Sequence, residues 1–155
     1  MGETNPYPHE PKSSTGYEAL CSSCHPDCVA CRDIGLGGLG LKFSVSADGG
    51  VNARFYCAAK YQGYPDRMHG GIIATLLDAA MTHCLFSRGK RGVTAKLSIR
   101  YVRPVEIGAD AVISASVISD RGMLVELQSE LHQAGRLCAS SKATFFVQSP
   151  EKLSP

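Results

Sequence analysis

The sequence contains no tryptophan, and its five phenylalanines and six tyrosines are scattered without a pattern of stacking aromatics. It also has no large excess of charge, because 16 Lys and Arg residues face 14 Asp and Glu residues and leave a net charge of +2. Proteins that bind single-stranded nucleic acids combine basic grooves with stacked aromatic side chains. These absences argue against nucleic acid as a partner, and we expect any functional basic groups to contact a phosphorylated ligand locally.

Long uninterrupted apolar runs are scarce as well. A membrane-spanning helix needs ~18 or more consecutive apolar residues, and Asp78 and His83 interrupt the best candidate, so we expect no membrane association. The first residues, MGETNPYPHEP, are polar and rich in proline, which is not the pattern of a secretory signal. Seven cysteines without such a signal indicate reduced thiols or metal ligands rather than a disulfide framework. The expected location is the cytoplasm.

The length of 155 residues suits one domain with a core of ordinary size. Composition divides the chain into a flexible arm and Cys-rich segment (residues 1–34), a folded domain (residues 35–148) and a short polar tail (residues 149–155). The run GLGGLG at the start of the domain has the spacing of a dinucleotide-binding motif. No predicted strand precedes it, and a strand-like alternation follows it, so we interpret it as a turn and expect no cofactor.

The Cys-rich segment contains two CxxC pairs, Cys21 with Cys24 and Cys28 with Cys31, and His25 lies between them. Each pair can present two thiolates to a zinc ion, with His25 as a spare ligand. However, only three residues separate the pairs, whereas a zinc ribbon brings its pairs together from well-separated hairpins. The alternative is that some of these cysteines pack as small apolar groups. We therefore predict no stoichiometric metal.

The most informative stretch is residues 72–86, which are apolar on nearly every face and predict a buried helix. Asp78 lies in the middle of it, nine positions after His69. A buried carboxylate is costly unless it is paired, protonated or part of a site; the alternative is a narrow solvent-facing stripe. Gly70 and Gly71 at the helix start would offer free N–H groups and a positive dipole end to an oxyanion. Together these groups predict a hydrolytic site.

Alternating apolar and polar residues predict a β-hairpin before this helix and four strands after it. The order is therefore β-β-α-β-β-β-β, and the fold class is α+β. A helix that is apolar all round needs cover on more than one side. We predict a curved, largely antiparallel sheet that wraps around this one long helix, with a second copy of the protein supplying the remaining cover.

Three segments resemble the hotdog-fold acyl-CoA thioesterases of the phenylacetate-pathway (PaaI-like) and THEM type: HGGIIATLLDAAM, VTAKLSIRYVRPV and SDRGMLVEL. The resemblance covers roughly residues 35–147. It implies a hotdog fold, a homodimer or a homotetramer built as a dimer of dimers, and hydrolysis of acyl-coenzyme A to a free acid and CoA. It implies neither a metal nor another cofactor.

The resemblance also implies roles for individual residues. Asp78 matches the catalytic carboxylate, which acts as general base or nucleophile. Gly70 matches the backbone donor to the thioester oxygen, with His69 beside it, and Thr94 matches a hydroxyl that positions the water. In relatives the HGG end and the carboxylate of one site come from different protomers. The residues matched to substrate contacts are Gly71, Tyr101, Val102, Arg103, Arg121, Gly122 and Met123.

One departure from the family pattern keeps an alternative open. Many relatives have an Asn six residues before the His, and this chain has Gly63 there. The alternative function is a non-catalytic acyl-CoA-binding or regulatory domain. A dehydratase or hydratase on the same fold is less favoured, because it needs a paired acid and base, and only His83 lies on the helix with Asp78. The preferred acyl group is not legible from the sequence.

Overall fold

The elements of the chain follow the predicted order from the hairpin onward. A computed structural model describes residues 15–148. In chain order its elements are α1 (Thr15–Cys24), β1 (Ser44–Val45), β2 (Val51–Tyr56), α2 (Gly70–Ser87), β3 (Gly92–Tyr101), β4 (Asp110–Asp120), β5 (Leu124–Gln133) and β6 (Arg136–Val147), with short 3-10 turns at Ile34–Leu36 and Ala59–Tyr61. The predicted α+β class is confirmed.

The strands form one antiparallel sheet in the order β1-β2-β4-β5-β6-β3. The sheet packs around α2, which contacts β2 and β3 through β6. The predicted hotdog arrangement is therefore confirmed. The hairpin is confirmed too, but β1 is shorter than the alternation from Leu41 predicts. The reason is that Leu39 and Leu41 donate their N–H groups to the carbonyls of Val29 and Ala30 in the Cys-rich segment.

Helix α2 supplies the centre of the core. Leu76, Leu77, Ala80, Met81 and Leu85 have no exposed surface, and they face apolar residues of the sheet such as Ile113, Leu127 and Phe145. By length and composition the 18 residues of α2 could also cross a membrane, so the expectation that no run is long enough is wrong. In the structure 61% of this stretch is buried, and the core helix of a soluble protein passes the same test.

A buried polar pair fastens α2 to the middle of the sheet. The hydroxyl of Ser129 donates to the carbonyl of Leu77 at 3.0 Å, and the hydroxyl of Ser141 lies 2.6 Å from that of Ser129. Both serines are almost fully buried. A buried hydroxyl is costly when it has no partner, so these bonds favour one rotation of α2 about its axis. Asp78 follows Leu77 directly, and its position is fixed by the same contacts.

Helix α1 occupies part of the segment that we predicted to be a flexible arm, so that prediction is wrong for residues 15–20. Residues 1–14 and the predicted tail, 149–155, lie outside the described part of the chain. Helix α1 packs on α2, and the hydroxyl of Tyr17 lies 2.7 Å from Nδ1 of His83. His83 is 4% exposed and stacks on Phe43. Burial lowers the pKa of His83 to about 4, so the ring is neutral at pH 7.

The glycine-rich run before β1 is a turn, as predicted. Gly37 and Gly40 have φ values of 87° and 68°, in the left-handed region that glycine adopts readily. A Cβ atom at Gly38 would overlap the carbonyl of Arg32. The glycines therefore allow the Cys-rich segment to fold back tightly against the start of the domain.

Candidate active site

The carboxylate of Asp78 meets the hydroxyl of Thr94. Asp78 lies halfway along α2 and is half-buried, while Thr94 is near the start of β3. The Thr94 hydroxyl donates to Oδ1 of Asp78 at 2.7 Å. The carboxylate is therefore paired, as its place in an apolar helix requires. Its second oxygen accepts no hydrogen bond from any residue between 15 and 148, so it is available to a water or a substrate.

A β-bulge at Ala95 turns Thr94 toward Asp78. The register of β3 with β6 shifts between Thr94 and Lys96. Thr94 pairs with the buried Phe145, and Leu97 pairs with the buried Ala143, so both face α2. Strict alternation along β3 predicts Thr94 on the face opposite Leu97, and that detail is wrong. Bulges re-aim side chains near active sites, and nothing in the residue types of this strand marks one.

The start of α2 offers one free backbone donor. His69 is the N-cap residue, and its Nδ1 accepts a hydrogen bond from the Gly71 N–H at 2.9 Å. The next amides, of Ile72 and Ile73, donate to the carbonyl of His69. The Gly70 N–H has no acceptor among residues 15–148. Of the two glycines, Gly70 is therefore the one able to donate to an oxyanion, while His69 caps the helix.

The loop before α2 and the end of β3 close around this helix start. The hydroxyl of Tyr101 donates to the carbonyl of Gly70 at 2.8 Å. On the other side, a Cβ atom at Gly63 would lie 3.3 Å from Cα of His69, so a larger residue there would have to displace His69 slightly. The backbone of Gly63, at the position where the family pattern has Asn, therefore lies close to His69. In this chain the helix start lacks that amide side chain.

The segments matched to coenzyme A contacts lie at opposite ends of β3. Tyr101 is its last residue, and Val102 and Arg103 follow it. The guanidinium of Arg103 donates to the carbonyl of Leu137 at 2.8 Å. Arg121, Gly122 and Met123 form the turn between β4 and β5. Met123 is exposed, and its carbonyl accepts a hydrogen bond from the N–H of Val147 in β6. Val147 pairs with Gly92, the first residue of β3. A strand of 10 residues spans about 30 Å, so one chain keeps the two segments apart.

The carboxylate and the free donor are also apart within one chain. Gly70 and Asp78 are separated by eight positions on α2, which corresponds to a rise of about 12 Å. A single thioester carbonyl and its attacking water need both groups within hydrogen-bonding distance. One chain therefore holds two halves of a site that do not face each other.

Two cavities of the single chain lie on the outer face of the sheet, away from these groups. One of about 580 Å³ is on the outer face of the sheet, lined by residues of β2, β4 and β5 such as Ser114, Gln128 and His132. Another, of about 320 Å³, lies on the outer face of β3, β5 and β6. Neither is lined by Asp78, Thr94 or Gly70.

The Cys-rich segment reaches the neighbourhood of Asp78. Burial lowers the pKa of the His25 ring, and the carboxylate of Asp78 acts in the opposite direction and raises it. His83 is enclosed by Tyr17, Cys31 and Phe43. It is therefore not free to act with Asp78 as the second group of a hydratase. No pattern in the sequence indicates that these distant segments meet.

The fold and these residues define a class. A curved antiparallel sheet around one helix, with a glycine start and a carboxylate halfway along, is the hotdog arrangement that the sequence resemblance implies. The family model described as "Thioesterase superfamily" matches residues 66–139, which include α2 and most of the sheet. Residues 66–139 thus match the thioesterase superfamily, and the chain has the hotdog fold.

Individual relatives agree with this assignment. Human acyl-coenzyme A thioesterase 13 is 35% identical over 81 residues, which are 50% of this chain and 58% of that protein. The chain thus spans little more than half the length of that relative. The crystal structure of zebrafish thioesterase superfamily member 2 superposes with a TM-score of 0.67, at 25% identity, over 86% of this chain and 94% of the other. Escherichia coli PaaI, from the phenylacetic acid degradation operon, superposes with a TM-score of 0.74, at 17% identity, over 88% and 96%.

Proposed function

We propose that this protein hydrolyses acyl-coenzyme A thioesters to a free acid and coenzyme A. The observation that carries the proposal is the Asp78 carboxylate, held by the Thr94 hydroxyl at 2.7 Å on the same helix whose start has a free Gly70 N–H. The name of human acyl-coenzyme A thioesterase 13 supports the substrate class. The match of residues 66–139 to the thioesterase superfamily supports the reaction.

The chemistry needs only groups that the chain supplies. A thioester is activated for acyl transfer, so hydrolysis requires a polarised carbonyl, a positioned water and a base. The Thr94 hydroxyl donates a hydrogen bond to Asp78, and its oxygen can accept a hydrogen bond from a water beside the carboxylate. Asp78 removes a proton from the water as the water attacks the carbonyl, the C–S bond breaks, and the coenzyme A thiolate takes up the proton. Alternatively, the carboxylate attacks the carbonyl and releases coenzyme A, and water then hydrolyses the acyl anhydride. The Gly70 N–H stabilises the oxyanion, and one such donor is typically worth about 3–4 kcal/mol of barrier.

We further propose that the site forms between two chains. Strand β3 is a ten-residue edge strand, and most of its side chains are exposed. A long exposed edge invites pairing with another chain. Antiparallel pairing of two copies about a two-fold axis between Leu97 and Ser98 would place Thr94 opposite Tyr101 of the partner subunit. Because Tyr101 holds the Gly70 carbonyl, this brings the free donor of one chain toward the carboxylate of the other.

The same pairing supports the predicted coenzyme A contacts. Each β3 would run antiparallel to its partner, so the strand end at Arg103 would lie near the partner's strand start, next to the partner's β4–β5 turn. Arg103 and Arg121, which lie at opposite ends of β3 in one chain, would then border one site. Two guanidinium groups suit the phosphates of coenzyme A. A dimer, or a dimer of dimers, is thus part of the proposed function.

A panel of acyl-CoAs with short, long and aromatic acyl groups tests the proposal, with free thiol measured by a thiol-reactive dye. We expect release of coenzyme A well above spontaneous hydrolysis for at least one acyl group. Binding measured by calorimetry without thiol release would favour the non-catalytic acyl-CoA-binding domain. A change in the acyl chain without thiol release would favour a dehydratase or hydratase.

A further inference from the structure

Three metal-ligating side chains converge where the Cys-rich segment packs on α2. The ligand atoms of His25, Cys31 and His83 all lie within 4.8 Å of one another, and they form the one such group of three within residues 15–148. His25 and Cys31 come from the segment between α1 and β1, and His83 comes from α2, 52 positions after Cys31. The hydrolytic site proposed above uses none of them.

The ring of His83 is oriented as a metal ligand would be. Its Nε2 lies 2.9 Å from Sγ of Cys31, and its Nδ1 lies 2.7 Å from the hydroxyl of Tyr17. Metal-binding histidines almost always give their second ring N–H to an oxygen, which fixes the tautomer and the direction of the ring. With the proton on Nδ1 and the Tyr17 oxygen as acceptor, the Nε2 lone pair points at Cys31.

His25 adds an independent sign that the cluster holds a ligand. Its Nδ1 is buried and has no hydrogen-bond partner in the described part of the chain. A buried ring nitrogen without a partner is costly. An ion held in the cluster would give this ring a partner. The edge of the ring also packs against Phe86, with centroids 5.0 Å apart, so the imidazole is fixed on the apolar face of α2.

We infer that His25, Cys31 and His83 bind a zinc ion, or another divalent transition metal that accepts imidazole and thiolate ligands. In a tetrahedral zinc site the sulfur and nitrogen ligand atoms are about 3.6 Å apart. The distance of 2.9 Å between Sγ of Cys31 and Nε2 of His83 must therefore lengthen slightly on metal binding. A rotation of the Cys31 side chain would lengthen it. His25 and Cys31 line a pocket of about 440 Å³ that Cys21 also lines. The Cys21 thiol lies 3.7 Å from Nδ1 of His83, away from Nε2, so the fourth ligand is then a water in this pocket.

This ligand set differs from the one that the sequence offers. The two CxxC pairs indicate four thiols, and their close spacing leads to the prediction of no metal. The structure instead selects one thiol and one histidine of that segment and adds a histidine from the core helix. The ion would fasten the segment to α2 five positions after Asp78. Because it binds only the folded chain, it would raise the unfolding temperature with increasing metal concentration.

The test uses the full chain, purified without a metal-binding tag and kept reduced. Bound zinc is measured by elemental analysis, and cobalt(II) is added to the metal-free protein to follow thiolate-to-cobalt absorption. We expect about one zinc per chain and a cobalt spectrum with a thiolate band. Cys31→Ser should lose the thiolate band and most of the zinc, while Tyr17→Phe should weaken the affinity by about 10–100-fold.

Cys24→Ser is the matched control, because Cys24 belongs to the same segment and lies outside the cluster. It should keep the zinc and the cobalt spectrum. Circular dichroism shows whether each variant is folded. If Cys31→Ser does not fold, His25→Gln provides a second ligand variant. Two results would overturn the inference. One is zinc no higher in the wild type than in the ligand variant; the other is zinc lost in Cys24→Ser and retained in Cys31→Ser.

Discussion

Asp78→Asn is expected to lower kcat/KM for the best acyl-CoA by about 10²–10⁴-fold, the usual contribution of a general base. Asn keeps the shape of Asp, and its side-chain oxygen can still accept the hydrogen bond that Thr94 donates at 2.7 Å in the wild type. The substitution removes the base and a half-buried negative charge. We therefore expect the melting temperature to stay unchanged or to rise. Thiol release and thermal unfolding of the same preparation measure both effects.

Asp110→Asn is the matched control for this prediction. Asp110 is an exposed carboxylate at the start of β4, paired with Arg54 at 3.6 Å and remote from Thr94. The same chemical change there should leave the rate close to that of the wild type. If Asp78→Asn keeps activity within about tenfold of the wild type, Asp78 has no place in the mechanism, since a base contributes more than that.

Gly70→Pro is expected to lower kcat/KM by about 10²–10³-fold, the cost of losing one oxyanion donor. Gly70 is the first residue of α2, where the fixed φ of proline suits a helix and its missing N–H breaks no helical bond. His69 has φ −63° and ψ 131°, an extended conformation that is favoured before proline. The variant should therefore fold with α2 intact and lack only the donor, which circular dichroism and the rate of thiol release will show.

Gly70→Ala separates the donor from the added bulk. It keeps the N–H and adds a Cβ atom that would lie 3.6 Å from the ring of Tyr101, an ordinary contact distance. Its activity should stay near that of the wild type. Equal losses in Gly70→Ala and Gly70→Pro would mean that space at the helix start matters and the N–H does not. Full activity in Gly70→Pro would exclude this donor altogether.

Most of the fold could be predicted because its patterns are local. Residues 72–86 are apolar on nearly every face, and each strand alternates over its own length, so the helix and the sheet follow from neighbouring residues alone. The short β1 was not predictable in this way. Leu41 has the alternation of a strand, but its N–H donates to Ala30, and that contact depends on how the Cys-rich segment folds back.

The site was only partly predictable for the same reason. The spacing of Gly70 and Asp78 on one helix, with His69 as the N-cap, is local and could be predicted from the sequence. The direction of Thr94 depends on a bulge at Ala95 that no residue type marks. The meeting of Cys31 with His83 depends on packing between segments 52 positions apart. Contacts of this kind are set by tertiary structure and leave no periodic signal in the sequence.

The central claim is that the Gly70 donor and the Asp78 carboxylate of one site belong to different chains. Mixing Asp78→Asn chains with Gly70→Pro chains tests it most directly, under conditions where exchange of subunits is confirmed by native mass spectrometry. Each mixed dimer would have one site with both defects and one with neither. Random exchange at equal concentrations should therefore restore up to about a quarter of the wild-type activity, although each parent is nearly inactive. If subunits exchange and no activity returns, the two groups do not meet across a dimer, and the proposed site is wrong.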